Sequence, residues 1–220
     1  MNLTEPETKS LLALAGLPVP KEHVVHGASD AARAAAALGF PAVLKIVSPD
    51  IPHKSDVGGV RVGLASPLAV ERAYLEIESD VRAACPGARI DGMLVQPQLR
   101  GVEVIVGATT DEQFGPVMVF GLGGTAVEAL GDVAFRLVPL DEHDARAMFG
   151  EIRAASLLDG FRGSPPASKD AIVRALLVLS SLVARFADQI AEIEINPLLV
   201  TAEQALVVDA LAVLSPGAAA

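Results

Sequence analysis

Apolar and polar positions along the chain switch between a helical and a strand-like period, and each switch marks an element. Residues 4–15 read as a helix: Thr4 can cap it, Pro6 suits its first turn, and Glu7 stands at the capping-box spacing. Gly16 stops it, and Pro18 and Pro20 make an extended link. An alanine-rich helix capped by Ser29 or Asp30 ends near Gly39. Residues 41–47 are a short apolar run, a strand by length and content, with Lys45 inside it. A polar, glycine-bearing loop at 48–59 leads to a returning strand at 60–64, and 67–84 has helical periodicity. Strands are expected at 92–97 and 102–108 around a turn at Arg100-Gly101, then at 116–120 and 134–138. Helices follow at 142–150 and 169–187, with a loop at 160–168 between them. The last elements, 190–195 and 205–211, pair like a hairpin.

Helices and strands are mixed without the strict alternation of a doubly wound parallel sheet, and no internal repeat is visible. The pattern fits an α+β (mixed α/β) arrangement of two lobes, 1–97 and 98–213, hinged near Pro97 to Gly101, with a frayed tail at 214–220. Composition refines this. Half the residues are apolar, yet one is Tyr, seven are Phe and none is Trp, so Ala, Val, Leu and Ile must fill the core. The net charge of −10 disfavours non-specific nucleic-acid binding, which needs a basic stripe. A single cysteine, Cys85, excludes an internal disulfide and a cysteine-rich metal site. The cysteine usage, an N-terminus carrying acids where a signal peptide needs bases, and the lack of a long uncharged apolar run place the chain in the cytosol, away from membranes.

Three constellations can carry chemistry. Lys45 interrupts an apolar strand, where an unpaired ammonium is costly to bury. It is either an edge-strand lysine whose head reaches water or a cation held in a cleft to meet phosphate. In the following loop, Gly58-Gly59 lets the backbone approach an anion closely, and Lys54 favours anions. His53 on that loop is either solvated or a phosphoryl acceptor, since its neutral ring nitrogen is a nucleophile near pH 7. Strand alternation puts Glu192, Glu194 and Asn196 on one face, and a hairpin brings Asp209 opposite. That face is either solvated or a set of oxygen ligands suited to Mg²⁺ bridging nucleotide phosphates. Gly121-Leu122-Gly123-Gly124 lacks the glycine pattern and βαβ order of a dinucleotide fingerprint, which leaves a phosphate- or partner-facing turn.

Taken together, these segments resemble the nucleotide-binding β subunit, or β-like domain, of the NDP-forming acyl-CoA synthetases, especially the ADP-forming acetyl-CoA synthetases, with succinyl-CoA synthetase β more distant. The resemblance rests on Pro41-Ala42-Val43-Leu44-Lys45, the whole 48–60 loop, Gln96-Pro97, Gly101-Val102-Glu103, Phe114-Gly115-Pro116, Phe120 to Gly124, Gly160-Phe161-Arg162-Gly163, Glu194-Ile195-Asn196-Pro197-Leu198 and Asp209-Ala210. The 48–60 loop and the Glu-Ile-Asn-Pro-Leu segment are its most specific parts.

The resemblance implies an ATP-grasp fold with ATP or ADP between two lobes, and the reversible reaction acyl-CoA + ADP + Pi to acid + CoA + ATP. It implies that His53 is a phosphohistidine on a mobile loop, that Lys45 contacts nucleotide phosphates, and that Gly58 and Gly59 belong to a phosphate-covering loop. Gln96 matches the hinge beside adenine and ribose, Glu103 an acidic position facing the nucleotide, and Asn196 with Asp209 the Mg²⁺-binding pair. No role follows for Glu128, Arg162 or Glu194. The CoA-binding and ligase domains are expected on a separate α subunit in a hetero-oligomer. Two other readings stay open: an ATP-grasp carboxylate–amine ligase working through an acyl phosphate, and a non-catalytic nucleotide-binding regulatory module.

Overall fold

The computed structural model describes residues 1–123, 131–160 and 165–215; Gly124, Glu128, Phe161, Arg162, Gly163 and the tail from 216 lie outside the described residues. In chain order the elements are β1 (Asn2–Leu3), α1 (Glu5–Leu14), β2 (His23–Val25), α2 (Ala28–Leu38), β3 (Ala42–Val47), β4 (Val60–Leu64), α3 (Pro67–Ala84) and β5 (Gly92–Pro97). They continue as β6 (Val102–Asp111), β7 (Gly115–Leu122), β8 (Val133–Leu137), α4 (Glu142–Ala147), α5 (Lys169–Arg185), β9 (Ile190–Val200), β10 (Ala205–Val207) and β11 (Ala210–Leu214). Local chemistry explains several bounds. Glu7 accepts from both the backbone N–H and the hydroxyl of Thr4 at the start of α1, as the capping-box spacing predicts. Ser66 accepts from Ala69 N–H ahead of Pro67, which opens α3. Helix α2 starts earlier than its polar residues suggest, with Gly27 as cap and Ser29 and Asp30 inside the first turn.

The strands form two sheets. The smaller is ordered β2-β5-β3-β4 and entirely antiparallel. All six residues of β3 are buried, because it is an interior strand covered on both faces. Ala42, Leu44 and Ile46 join the core that α2 and α3 share with the sheet, and Val43 and Lys45 face the other way. The larger sheet is ordered β1-β11-β9-β6-β7-β8, with β10 pairing the far end of β9. Helix α5 covers it with Ile172, Leu176, Leu179 and Val183, an apolar stripe at helical spacing. The core is aliphatic as composition requires, with Phe120 and Phe149 meeting edge to face at 5.2 Å.

The expected lobe division near 97–101 falls between the last strand of the small sheet and β6 of the large one. The first segment departs from it: β1 pairs with β11, Asn2 opposite Val213, and Leu12 and Leu17 belong to the larger core. Residues 2–17 are therefore built into the larger unit, because β1 covers the edge of β11 and Leu12 and Leu17 pack into the larger core.

Candidate active site

A cleft of ≈ 890 Å³ lies between the two sheets. Lys45 and Gln96 line it from the small sheet, Glu103 and Asn196 from the large one, Asp209 from the turn before β11, and His53 from the loop after β3. Glu192 and Glu194 share the face of β9 with Asn196 and line the same space. Gly58 and Gly59 are not among the lining residues.

Lys45 is 4% exposed, so the edge-strand reading with its head in water does not hold. Its ammonium donates to Glu5 Oε1 at 2.8 Å, to the Val208 carbonyl at 3.0 Å and to Asp209 Oδ2 at 3.0 Å. Lys54 reaches the same two acids, 2.9 Å from Asp209 Oδ1 and 3.0 Å from Glu5 Oε2. Lys9, one turn along α1 from Glu5, is 2.7 Å from Glu5 Oε1 and also donates to Glu22 at 2.8 Å and to Gln96 Oε1 at 2.9 Å. Three ammoniums and three carboxylates thus close a charge-balanced network, with buried Glu5 touching every lysine in it.

Burial is the strongest single influence on Glu5 and pushes its carboxyl up, but Lys45, Lys9 and Lys54 together outweigh it and hold the group well below the usual range. Burial likewise pushes Lys45 and Lys54 down, and Glu5 and Asp209 reverse this, leaving both ammoniums raised. Glu22 runs the other way: its burial outweighs Lys9 and raises it. A depressed folded-state acid stabilises above its unfolded pKa, and that contribution is lost as pH falls through the folded value. A raised acid contributes at low pH and loses its contribution as pH rises. The Glu5 shift is the larger, so stability should fall between about pH 4.5 and pH 2, as unfolded carboxylates take up protons that folded Glu5 refuses. Denaturant unfolding across that window checks this; in Glu5→Gln the acid slope should flatten, and an unchanged slope would remove Glu5 as its cause.

Asn196 and Asp209 meet because the antiparallel β9–β11 ladder runs one step past the Ile195–Ala210 pair, while on its other side β9 is irregular. Val104 pairs Leu198 while Val106 pairs Ile195, so β9 holds one extra residue at 196–197. Asn196 N–H donates to the Asp209 carbonyl at 3.1 Å, and Ala210 pairs Ile195 just beyond. The hairpin expected between the two segments is therefore present, but β9 continues through Pro197 to Val200 and its partner is split into β10 and β11.

His53 is exposed and precedes a short 3₁₀ turn, Lys54–Val57, that Gly58 ends at φ 69°. Gly59 packs rather than opens: a Cβ there would stand 2.6 Å from Ile46 Cγ2 and 2.7 Å from the Lys54 carbonyl. Its N–H donates to that carbonyl, and its own carbonyl accepts from Ile46, at 2.7 Å each. Gly59→Ala should cost about 1–3 kcal/mol by overpacking, read as a lower melting temperature; a neutral substitution would show that the loop base gives way freely. Gly121 is also a packing glycine, its Cβ position 2.7 Å from the Asp132 carbonyl, and the rest of the expected turn at Gly124 lies outside the described residues.

Residues 1–214 match the ATP-grasp domain model. The chain belongs to the ATP-grasp family. It is 43% identical over 215 residues, 96% of this chain and 91% of the relative, to the β subunit of acetate–CoA ligase (ADP-forming) II of Pyrococcus furiosus. It is 38% identical over 200 residues, 90% of this chain and 28% of the relative, to the 4-hydroxybutyrate–CoA ligase (ADP-forming) of Nitrosopumilus maritimus. Among solved structures it superposes on acetyl-coenzyme A synthetase 1 of Ca. Korarchaeum cryptofilum in complex with coenzyme A and Ca-AMPCP, with TM-score 0.91 and 43% identity over 97% of this chain and 93% of that one. The same protein with coenzyme A and Mg-AMPPCP, its phosphohistidine segment pointing towards the nucleotide-binding site, gives TM-score 0.80 and 40% identity over the same shares. The ATP-grasp fold expected from the resemblance is thus shown, and no helix among the described residues is long and apolar enough to cross a membrane.

The ATP-grasp cleft has oxygen donors that fit Mg²⁺. Asn196 and Asp209, joined by one backbone hydrogen bond and both lining the cleft, offer one amide and one carboxylate, and Mg²⁺ takes one or two carboxylates plus substrate phosphates and water. Both Asp209 oxygens already face cationic groups, the ammoniums of Lys45 and Lys54.

Sequence reasoning missed Glu5, Lys9 and Glu22. No pattern in the sequence marks them: the buried stripe of α1 is Glu5, Thr8, Lys9 and Leu12, at the i, i+3, i+4, i+7 spacing of a core-facing helix but written mostly in polar residues.

Proposed function

We propose that this chain is the nucleotide-binding β subunit of an ADP-forming acyl-CoA synthetase, and that it moves a phosphoryl group between His53 and ADP. The observation that carries this is the meeting of His53, Lys45 and the Asn196–Asp209 pair on one cleft, although they come from a loop, the small sheet and the large sheet. Lys45, fixed on an interior strand, would neutralise phosphate charge. Asn196 and Asp209 would hold Mg²⁺, which when bound supplies charge compensation at the transferring phosphate. Gln96 and Glu103 would flank the nucleotide. A His53 ring nitrogen would attack a phosphoryl group activated on the α partner, forming the P–N bond as the donor's bond to phosphorus breaks and the donor leaves. It would then release the group as the P–N bond breaks and a terminal ADP oxygen forms the new P–O bond.

The relative named as a β subunit supports a separate α partner carrying CoA and the acyl group, in a hetero-oligomer. The acyl acid would be chosen there, in keeping with relatives that act on acetate and on 4-hydroxybutyrate. The test combines the chain with its α partner, acyl-CoA and labelled phosphate, then maps phosphohistidine by mass spectrometry. Label on His53, lost on adding ADP with appearance of labelled ATP, is the expected result. Turnover with no label on His53 would remove the relay from this chain.

A further inference from the structure

Lys54 stands one residue after His53, on the loop that this function requires to move, yet its ammonium is anchored across the cleft. Both of its acidic partners, Glu5 on α1 and Asp209 before β11, belong to the larger unit. The side chain is 11% exposed, whereas His53, Ser55 and Asp56 around it are exposed. The backbone of the 53–58 turn bonds within itself, through Asp56 N–H to the His53 carbonyl and Gly58 N–H to the Ser55 carbonyl, and to its own small-sheet side, where the Lys54 carbonyl accepts from Gly59 N–H and the Gly58 carbonyl from Arg61. Among the described residues, the Lys54 side chain carries the hydrogen bond and ion pairs that reach from this turn to the far side.

The two cations on Asp209 are held unequally. Lys45 sits on an interior strand with three acceptors around its ammonium. Lys54 hydrogen-bonds Asp209, while its second partner, Glu5 Oε2, is a buried oxygen with no hydrogen bond of proper geometry. Both Asp209 oxygens already accept from ammoniums, so a divalent cation that coordinates Asp209 must compete with them for those oxygens and is repelled by the charge of whichever stays. The cheapest relief is departure of the one on a loop with solvent beside it.

We infer that Lys54 is a latch. It occupies Asp209 in the nucleotide-free chain and pins the His53 loop in the cleft, and divalent metal with nucleotide displaces it and frees the loop. This rests on the nucleotide-subunit reading above, and it couples loading of the cleft to mobility of the phosphoryl acceptor.

Hydrogen exchange of the full-length chain, read on peptides spanning 50–58, tests it together with calorimetric titration of ADP with Mg²⁺. In the unaltered chain, saturating Mg-ADP should speed exchange in the loop about tenfold, as expected when an opening free energy drops by about 1.4 kcal/mol, while ADP with EDTA should not. Lys54→Met should show fast loop exchange without ligand and bind Mg-ADP about tenfold more tightly, since no resident cation must leave. Lys54→Arg, which keeps the charge, should keep the loop slow until Mg-ADP is added. Unchanged or slowed loop exchange with bound Mg-ADP would overturn the latch alone, as would unchanged or weaker Mg-ADP binding by Lys54→Met. No Mg-ADP binding by the unaltered chain would overturn the nucleotide reading and the latch with it.

Discussion

Replacing Glu5 by alanine should lower the stability of the chain by about 3–5 kcal/mol, the cost of removing one partner from a buried ion pair and leaving the other charges uncompensated. The reason is geometric: Lys9, Lys45 and Lys54 all stand within 3.0 Å of this one carboxylate. Lys9 retains Glu22 and Gln96, and the other two retain Asp209, which keeps the loss from growing larger. For a chain of this length the loss corresponds to roughly 6–20 °C in melting temperature. Calorimetry on Glu5→Ala and Glu5→Asp checks it. A loss below about 1 kcal/mol in the alanine variant would mean that the lysines find water or other acceptors with little rearrangement.

The second large effect concerns turnover. With the α partner present, His53→Ala should cut acyl-CoA-dependent ATP formation by about a thousandfold or more, since loss of a covalent acceptor removes a route rather than a contact. Nucleotide affinity should change little, because His53 is exposed and makes none of the ionic contacts that fix Lys45 and Asp209. Steady-state assays with ADP titrated separately divide these outcomes. Intact turnover in His53→Ala would remove His53 from the transfer, and a carboxylate–amine ligase working through an acyl phosphate would show no acyl-CoA-dependent ATP formation in either chain.

Much of this arrangement is legible along the chain because its elements follow local rules. The strand carrying Lys45 is bounded by Pro41 and a polar loop, helix α3 is announced by Ser66-Pro67, and α1 by Thr4 and Glu7. The pairing of segments is where periodicity stops helping. Nothing in Asn2-Leu3 marks a strand, since its two residues owe their conformation to Val213 and Ala212 at the far end of the chain. For the same reason the first helix is assigned to the wrong neighbourhood by sequence order alone.

The site divides in the same way. Lys45, His53, Asn196 and Asp209 stand out as polar residues in places that an apolar strand, a glycine loop or a hairpin does not explain. Glu5 does not stand out, because an acid in the first turn of a helix already has a sufficient local reason there. Its buried neighbours have to be known before it becomes unusual.

The Lys45 network also bears on how the chain becomes competent. Its ammonium joins Glu5, 40 positions earlier, to Asp209, 164 positions later. Closing so wide a loop is entropically costly and comes late in a folding route dominated by non-local strands. During synthesis Lys45 and Glu5 can meet early, but the ribosome must deliver Asp209 before the pocket acquires its last wall. Nucleotide capture would then report the final long-range closure, and a chain interrupted before that point would be blind to ATP however well its first sheet had formed.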